Sequence, residues 1–278
     1  MIKVIAEIGC NHQGDINIAK ELILQAKIAG VYAVKSQKRT VKEYLSKEQY
    51  NKPYEGPNSF GKTYGEHREF LELAPSEHYE LKKYAEKLGI KYFVSVWDLT
   101  ALKQMMEIDL PIIKIPSALL THDKLLLEAK KYNKPIYIST GMSTISEIDH
   151  AVDLLKGADV TLFHTTSCYP CKFQNVYLKN ITFLQERYNL PVGFSGHHLG
   201  IAIDIAAAVL GAEIIERHFT LDRTMKGTDH AASLEPHGLH KLVRDLKALE
   251  QSMELWDRKK IIPCEQQSLQ KLRPDLFK

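Results

Sequence analysis

The chain has 278 residues, 44% of them hydrophobic and 26% charged, which is enough for one large domain or two small ones. Its formal net charge of +3 is spread along the chain, so nothing marks it as a partner of nucleic acid or of a membrane surface. No long apolar run is present, the opening MIKVIAEIGC leads into a strand pattern rather than a leader peptide, and four cysteines are too few for a disulfide framework; a cytoplasmic protein is expected.

Short β-branched runs alternate with amphipathic helical stretches from one end to the other. KVIAEI (3–8) precedes a helix over 17–29, VYAVK (31–35) a helix over 76–88, KYFVSV (91–96) one over 99–107 and PIIKI (111–115) one over 121–132. PIYIST (135–140) precedes 144–156, VTLFH (160–164) precedes 176–187, PVGFS (191–195) precedes 199–210 and AEIIERH (212–218) precedes 236–255. Many of these helices open on Asp, Ser, Thr or Asn, and several close on Gly. Eight strand–helix pairs in about 250 residues predict a single (β/α)₈ TIM barrel, here over residues 1–260 with a tail at 261–278. A doubly wound open sheet is the alternative, but no G-x-G-x-x-G follows the first strand. The connection at 36–75 is far longer than an ordinary strand-to-helix loop, and its aromatic, glycine and charged content predicts an ordered loop over the active site.

Barrel enzymes carry their chemistry at the C-terminal ends of the strands. Here Glu7, Lys35, Ser95, Lys114, Ser139, His164, Ser195 and His218 stand where the apolar runs stop, with Gln37, Ser117, Thr140, Ser167 and His197 just beyond. Polar groups at strand ends near water are cheap, which accounts for single serines. Two lysines among apolar neighbours are different, because a desolvated ammonium needs an anion. Lysines converging with several hydroxyls suggest a bound phosphate. His197 and His218 end adjacent strands, about 4.8 Å apart, and so can reach one divalent cation of the Mn²⁺, Zn²⁺ or Fe²⁺ type. Cys168 and Cys171 form a C-x-x-C, a redox pair or half of a metal site, with no second pair to give it context.

Taken together, AEIGCNHQGD (6–15), VKSQ (34–37), GKTYGEH (61–67), ISTGM (138–142), GFSGHHLG (193–200) and ERHFTLDRTMKGTDHAASLEP (216–236) resemble the sialic acid synthases, over essentially the whole chain. That family condenses phosphoenolpyruvate with an N-acylated hexosamine on a (β/α)₈ barrel. The resemblance implies His197 and His218 as ligands of Mn²⁺ or Mg²⁺. It implies Lys35, Ser95, Lys114, Ser117, Ser139 and Ser195 as contacts of phosphoenolpyruvate. Glu7, Gln37, Tyr169 and Asp229 then face the acceptor sugar, with Glu7 or Asp229 moving protons. Self-association as a homodimer is compatible with this.

Some positions depart from the family pattern. Leu119 stands where the family usually has an acid, Ser36 where it has Phe, and Ser167, counted here with the substrate-binding serines, where Asn is common. No C-terminal antifreeze-like domain of the kind the family carries is expected. An acceptor half more open and less polar than in a two-domain synthase is therefore expected, with a shorter or differently substituted sugar as its substrate. A Schiff-base lysine aldolase and a non-catalytic binding barrel remain as alternatives.

Overall fold

A computed structural model describes residues 2–256 and 260–273; residues 274–278 of the expected tail lie outside these. Eight parallel strands pair in sequence order: β1 (Lys3–Gly9), β2 (Ala33–Lys38), β3 (Lys91–Val96), β4 (Ile113–Ile115), β5 (Ile136–Ser139), β6 (Val160–Thr165), β7 (Val192–Gly196) and β8 (Ile214–His218). β8 returns to β1 in register, Glu7 opposite His218, and closes the barrel. The outer helices are α1 (Ile16–Ala29), α5 (Pro75–Leu88), α6 (Leu99–Glu107), α7 (Asp123–Lys131), α8 (Ile145–Leu154), α9 (Asn180–Tyr188), α10 (Ala202–Val209) and α11 (Pro236–Ser252), with α2 (Val41–Tyr44), α3 (Lys47–Asn51) and α4 (Tyr64–Phe70) inserted after β2. A short α12 (Gln266–Leu272) lies in the tail.

Local chemistry sets many of these boundaries. The Asp15 carboxylate accepts the Asn17 N–H to start α1, and Thr144 with Glu147 forms a reciprocal capping box on α8. The helices at 121–132, 176–187 and 236–255 come out shorter or shifted, because their first or last residues serve as caps and turns. β2 runs to Lys38, past the expected end at residue 35, so the long connection begins at Arg39. It is an ordered excursion. The Lys38 ammonium donates to the Leu73 carbonyl at 3.0 Å, the Thr40 N–H to Asp98 at 2.5 Å, and the Gly227 N–H to Asn58 at 3.2 Å, tying the excursion to the connection after β8.

The main apolar core fills the space between strands and helices. A second apolar cluster, with Ile5, Ala33, Phe93, Ile112, Tyr137, Phe163 and Ile214, plugs the inside of the barrel. Because strand side chains alternate with period two, the next inward positions toward the C-terminal face are Glu7, Lys35, Ser95, Lys114, Ser139, Thr165, Ser195 and Glu216. Above them come Gly9, Gln37, Trp97, Pro116, Gly141, Ser167, His197 and His218. The barrel interior therefore changes from apolar to charged within one layer.

Candidate active site

All the expected site residues except Asp229 line one cavity of about 210 Å³ above the apolar plug. Asp229 lies in an adjoining cavity of about 490 Å³ that shares Gln37, Trp97, Tyr169 and His218 with the first. Two residues noted at strand ends do not reach the first cavity. His164 points outward, its ring nitrogen 2.6 Å from the Val176 carbonyl, and Thr140 bonds the Phe163 carbonyl at 3.0 Å. Period-two alternation explains this: Phe163 and Thr165 face in, so His164 faces out.

The charged layer holds a feature that the strand-end reading did not pick out. Glu216 is buried on β8, 3.7 Å from the Lys35 ammonium and 3.9 Å from that of Lys114, and it accepts the Ser195 hydroxyl at 3.0 Å. Counting back two residues from His218 would have located it. Lys35 also forms a close ion pair with Glu7 and donates to Ser95 at 2.8 Å, while Lys114 donates to Ser139 at 2.7 Å. Burial drives the Lys114 pKa down to about 8, with Lys35 pushing the same way and Glu216 opposing. Burial also works to lower Lys35, but Glu216 and Glu7 override it and raise its pKa. Both lysines thus sit in a nest of carboxylates and hydroxyls, with ammonium protons directed into the cavity floor.

The upper layer is kept open by glycine. Gly9 has φ +33, and a Cβ there would meet Glu7 Oε1 at 2.6 Å; a Cβ on Gly141 would meet Ser167 Oγ at 2.6 Å. Glu7 accepts the Gln37 amide at 2.8 Å, so it joins the lysine layer to the acceptor side. The His197 and His218 rings lie 5.4 Å apart, centre to centre, with the Tyr169 ring 4.1 Å from His197. His197 Nδ1 donates to the Thr166 carbonyl at 3.0 Å, leaving Nε2 as its free lone pair. Burial, then the neighbouring His218, lowers its pKa to about 3, so this ring is neutral. His218 Nδ1 is buried, without a hydrogen-bond partner among the described residues, 3.7 Å from Asp229 Oδ2.

The two imidazoles fit a divalent cation: one tautomer is fixed by a carbonyl, and one nitrogen is orphaned. Among the described residues no group of three or more His, Cys, Asp or Glu is arranged to hold a metal ion, so water and substrate must complete such a centre.

The adjoining cavity has a polar wall that includes Arg39, Arg68, Thr228 and Asp229. Leu119 is buried in the main core and lines neither cavity, so its side chain takes nothing from the acceptor wall. The excursion after β2 supplies Tyr54, Tyr64, Arg39 and Arg68. Arg39 stacks 4.0 Å over Trp97 and pairs with Glu72 at 3.3 Å. Arg68 instead bonds the Tyr64 hydroxyl at 3.0 Å and approaches Cys10 Sγ at 3.6 Å. Burial works to raise the Asp229 pKa, but His218, Thr228, Arg68 and Arg39 bring it below the ordinary carboxylate value. Trp97 and Arg39 are loop residues and Arg68 lies on the short α4, and none has a local sequence pattern to announce it.

Buried lysines and hydroxyls beneath a histidine pair, at the C-terminal face of the strands, define an anion-handling (β/α)₈ barrel enzyme. The chain belongs to the NeuB family, whose match covers residues 22–258. It is 38% identical to the N-acetylneuraminate-9-phosphate synthase of Homo sapiens, over 97% of this chain and 76% of that protein. It is also 38% identical to the N,N'-diacetyllegionaminic acid synthase of Campylobacter jejuni, over 90% of this chain and 77% of that one. The crystal structure of a sialic acid synthetase from Leptospira borgpetersenii superposes with a TM-score of 0.83 at 31% identity, covering 97% of this chain and 90% of that chain. Among the described residues no helix is long and apolar enough to cross a membrane.

Proposed function

We propose that this barrel condenses phosphoenolpyruvate with the open-chain aldehyde of an N-acylated hexosamine or its 6-phosphate, giving a nonulosonic acid and inorganic phosphate. The observation that carries this reading is the pair of buried lysines, each on a serine hydroxyl and near Glu216, directly under two histidines and beside a basic, tyrosine-lined cavity. Lys35, Lys114 and the ring of Ser95, Ser117, Ser139, Ser167 and Ser195 hold the phosphate and carboxylate in a site shielded from bulk water. His197 and His218 would hold a divalent cation, Mn²⁺ or Mg²⁺, which when bound would supply Lewis acidity toward the aldehyde oxygen.

The enol C3 attacks the aldehyde carbon, water adds at C2, and phosphate leaves with cleavage of the C–O bond. Glu7, bridged by Gln37 on one side and Lys35 on the other, is placed to take the proton of the attacking water. Asp229 and Tyr169 orient the acceptor from above, and Asp229 steadies His218. Arg68, with no carboxylate hydrogen-bonded to it among the described residues, suits a phosphate at the far end of the sugar. The test is phosphate release from phosphoenolpyruvate with N-acetylmannosamine, its 6-phosphate, mannose and shorter aldoses. Release with the N-acyl sugars supports the reading, and release with the short aldoses alone overturns the acceptor assignment.

One observation favours a second reading. Lys114, buried and brought down to about 8, has the character of a Schiff-base lysine. Borohydride trapping of a pyruvyl or sugar adduct on Lys114 would decide for it.

A further inference from the structure

The C-x-x-C at Cys168 and Cys171 plays no part in the chemistry above, yet it brackets Tyr169 on the β6–α9 connection. Both residues are free cysteines; Cys168 is exposed and Cys171 is 5% exposed, in the main core. The chain bends at Tyr169 and again at Pro170, so the two are separated by a folded rather than an extended stretch. That stretch is the outer wall of His197. The Thr166 carbonyl fixes the His197 Nδ1 proton, the Tyr169 ring lies against the His197 ring, and the Cys171 N–H donates to the His197 carbonyl at 2.9 Å.

We propose that Cys168 and Cys171 form a thiol–disulfide modification site that reacts with a low-molecular-weight disulfide and, once bridged, draws Tyr169 and His197 away from their reduced-state geometry. The exposed Cys168 loses its proton, and its thiolate attacks one sulfur of the disulfide, breaking that S–S bond and releasing one thiolate. Cys171 then loses its proton and attacks Cys168 Sγ, breaking the mixed disulfide and releasing the second thiolate. The two cysteines are oxidised by two electrons, the small disulfide is reduced to two thiols, and the two protons end on those thiols. Cys168 is the first nucleophile because it is exposed while Cys171 is buried.

A bridge needs the two Cα atoms within about 7 Å and the sulfurs about 2.05 Å apart. One thiol sits in the core and the other at the surface, and a bridge between them constrains the segment that carries Tyr169. Tyr169 is in that segment, and His197 hangs on both of its ends. A thiophilic cation is a poorer occupant, because the described residues offer no third ligand.

The test uses the full chain incubated with oxidised glutathione or with dithiothreitol, followed by peptide mapping and by phosphate release. The expected result is a Cys168–Cys171 disulfide whose yield tracks a loss of at least about tenfold in kcat/KM, reversed by dithiothreitol. Cys168→Ser should neither bridge nor lose activity. Only mixed disulfides in the map, a bridged protein of full activity, or equal inhibition of Cys168→Ser would each overturn the proposal. The activity arm rests on the function proposed above, and the peptide map does not. If the reduced protein shows no turnover, that function fails, and the bridge is then judged from the map and from the His197 ring resonances, which must shift on bridging.

Discussion

Replacing Lys114 by methionine separates the role of this lysine in substrate binding from its role in the fold. The side chain is 2% exposed, donates to Ser139 at 2.7 Å, and lies 3.7 Å over the centre of the Phe163 ring. Methionine nearly matches its volume and keeps the contact with Phe163. Glu216 is not stranded, because Lys35 at 3.7 Å and the Ser195 hydroxyl at 3.0 Å still face it. Losing the buried ammonium relieves a desolvation cost that offsets the lost pairing, so Tm should move by no more than roughly 5 °C. What disappears is one charge-assisted contact to phosphoenolpyruvate, about 1.5–3 kcal/mol, or roughly 10- to 150-fold in KM. Steady-state phosphate release with each substrate varied in turn gives both KM values, and thermal unfolding gives Tm. A KM for the sugar that rises as much as that for phosphoenolpyruvate, or rises alone, would refute the assignment and move Lys114 to the acceptor side.

Other outcomes follow from the same geometry. His197→Ala and His218→Ala should each lower Mn²⁺ affinity, read by titration calorimetry, and activity by at least about a hundredfold, with the far-ultraviolet dichroism of the wild type; full activity in metal-stripped mutant protein would contradict the cation site. Because Lys114 is brought down to about 8, it is already protonated at lower pH, and above that pH binding an anion must take up a proton. The KM for phosphoenolpyruvate should therefore be flat below about pH 8 and rise by up to about tenfold per pH unit above it, a rise absent from Lys114→Met. Arg68→Ala should raise KM for a sugar 6-phosphate by at least about tenfold while leaving the unphosphorylated sugar nearly unchanged; equal effects on both would remove the arginine from phosphate recognition.

The eight strands were legible in the sequence because each carries a β-branched apolar run. Their C-terminal ends were less so, for a reason built into the barrel. Where side chains turn inward to bind substrate, the hydrophobic signal stops before the strand does; hence β2 continues through Ser36, Gln37 and Lys38, residues that read as loop. The lysines, serines and histidines stood out because their residue types are unusual at those places. Glu216 did not, since it sits inside the ERH run whose Arg217 faces the other way, with its guanidinium against Asp204 and the His198 carbonyl. Arg39, Arg68 and Trp97 come to the acceptor cavity through the fold of the excursion and of the connection after β3. Leu119 itself lies in the core, and residue spacing along a short 3₁₀ turn does not reveal which side of the turn faces the cavity.

The central claim is carbon–carbon bond formation with cleavage of the C–O bond of phosphoenolpyruvate. It is tested most directly with phosphoenolpyruvate labelled with ¹⁸O in the bridging position, incubated with N-acetylmannosamine or its 6-phosphate and Mn²⁺, and followed by mass spectrometry. The label should appear in inorganic phosphate, in step with a 3-deoxy-2-keto sugar acid. Label retained in pyruvate or in the keto acid, or phosphate released without a condensed product, would contradict it.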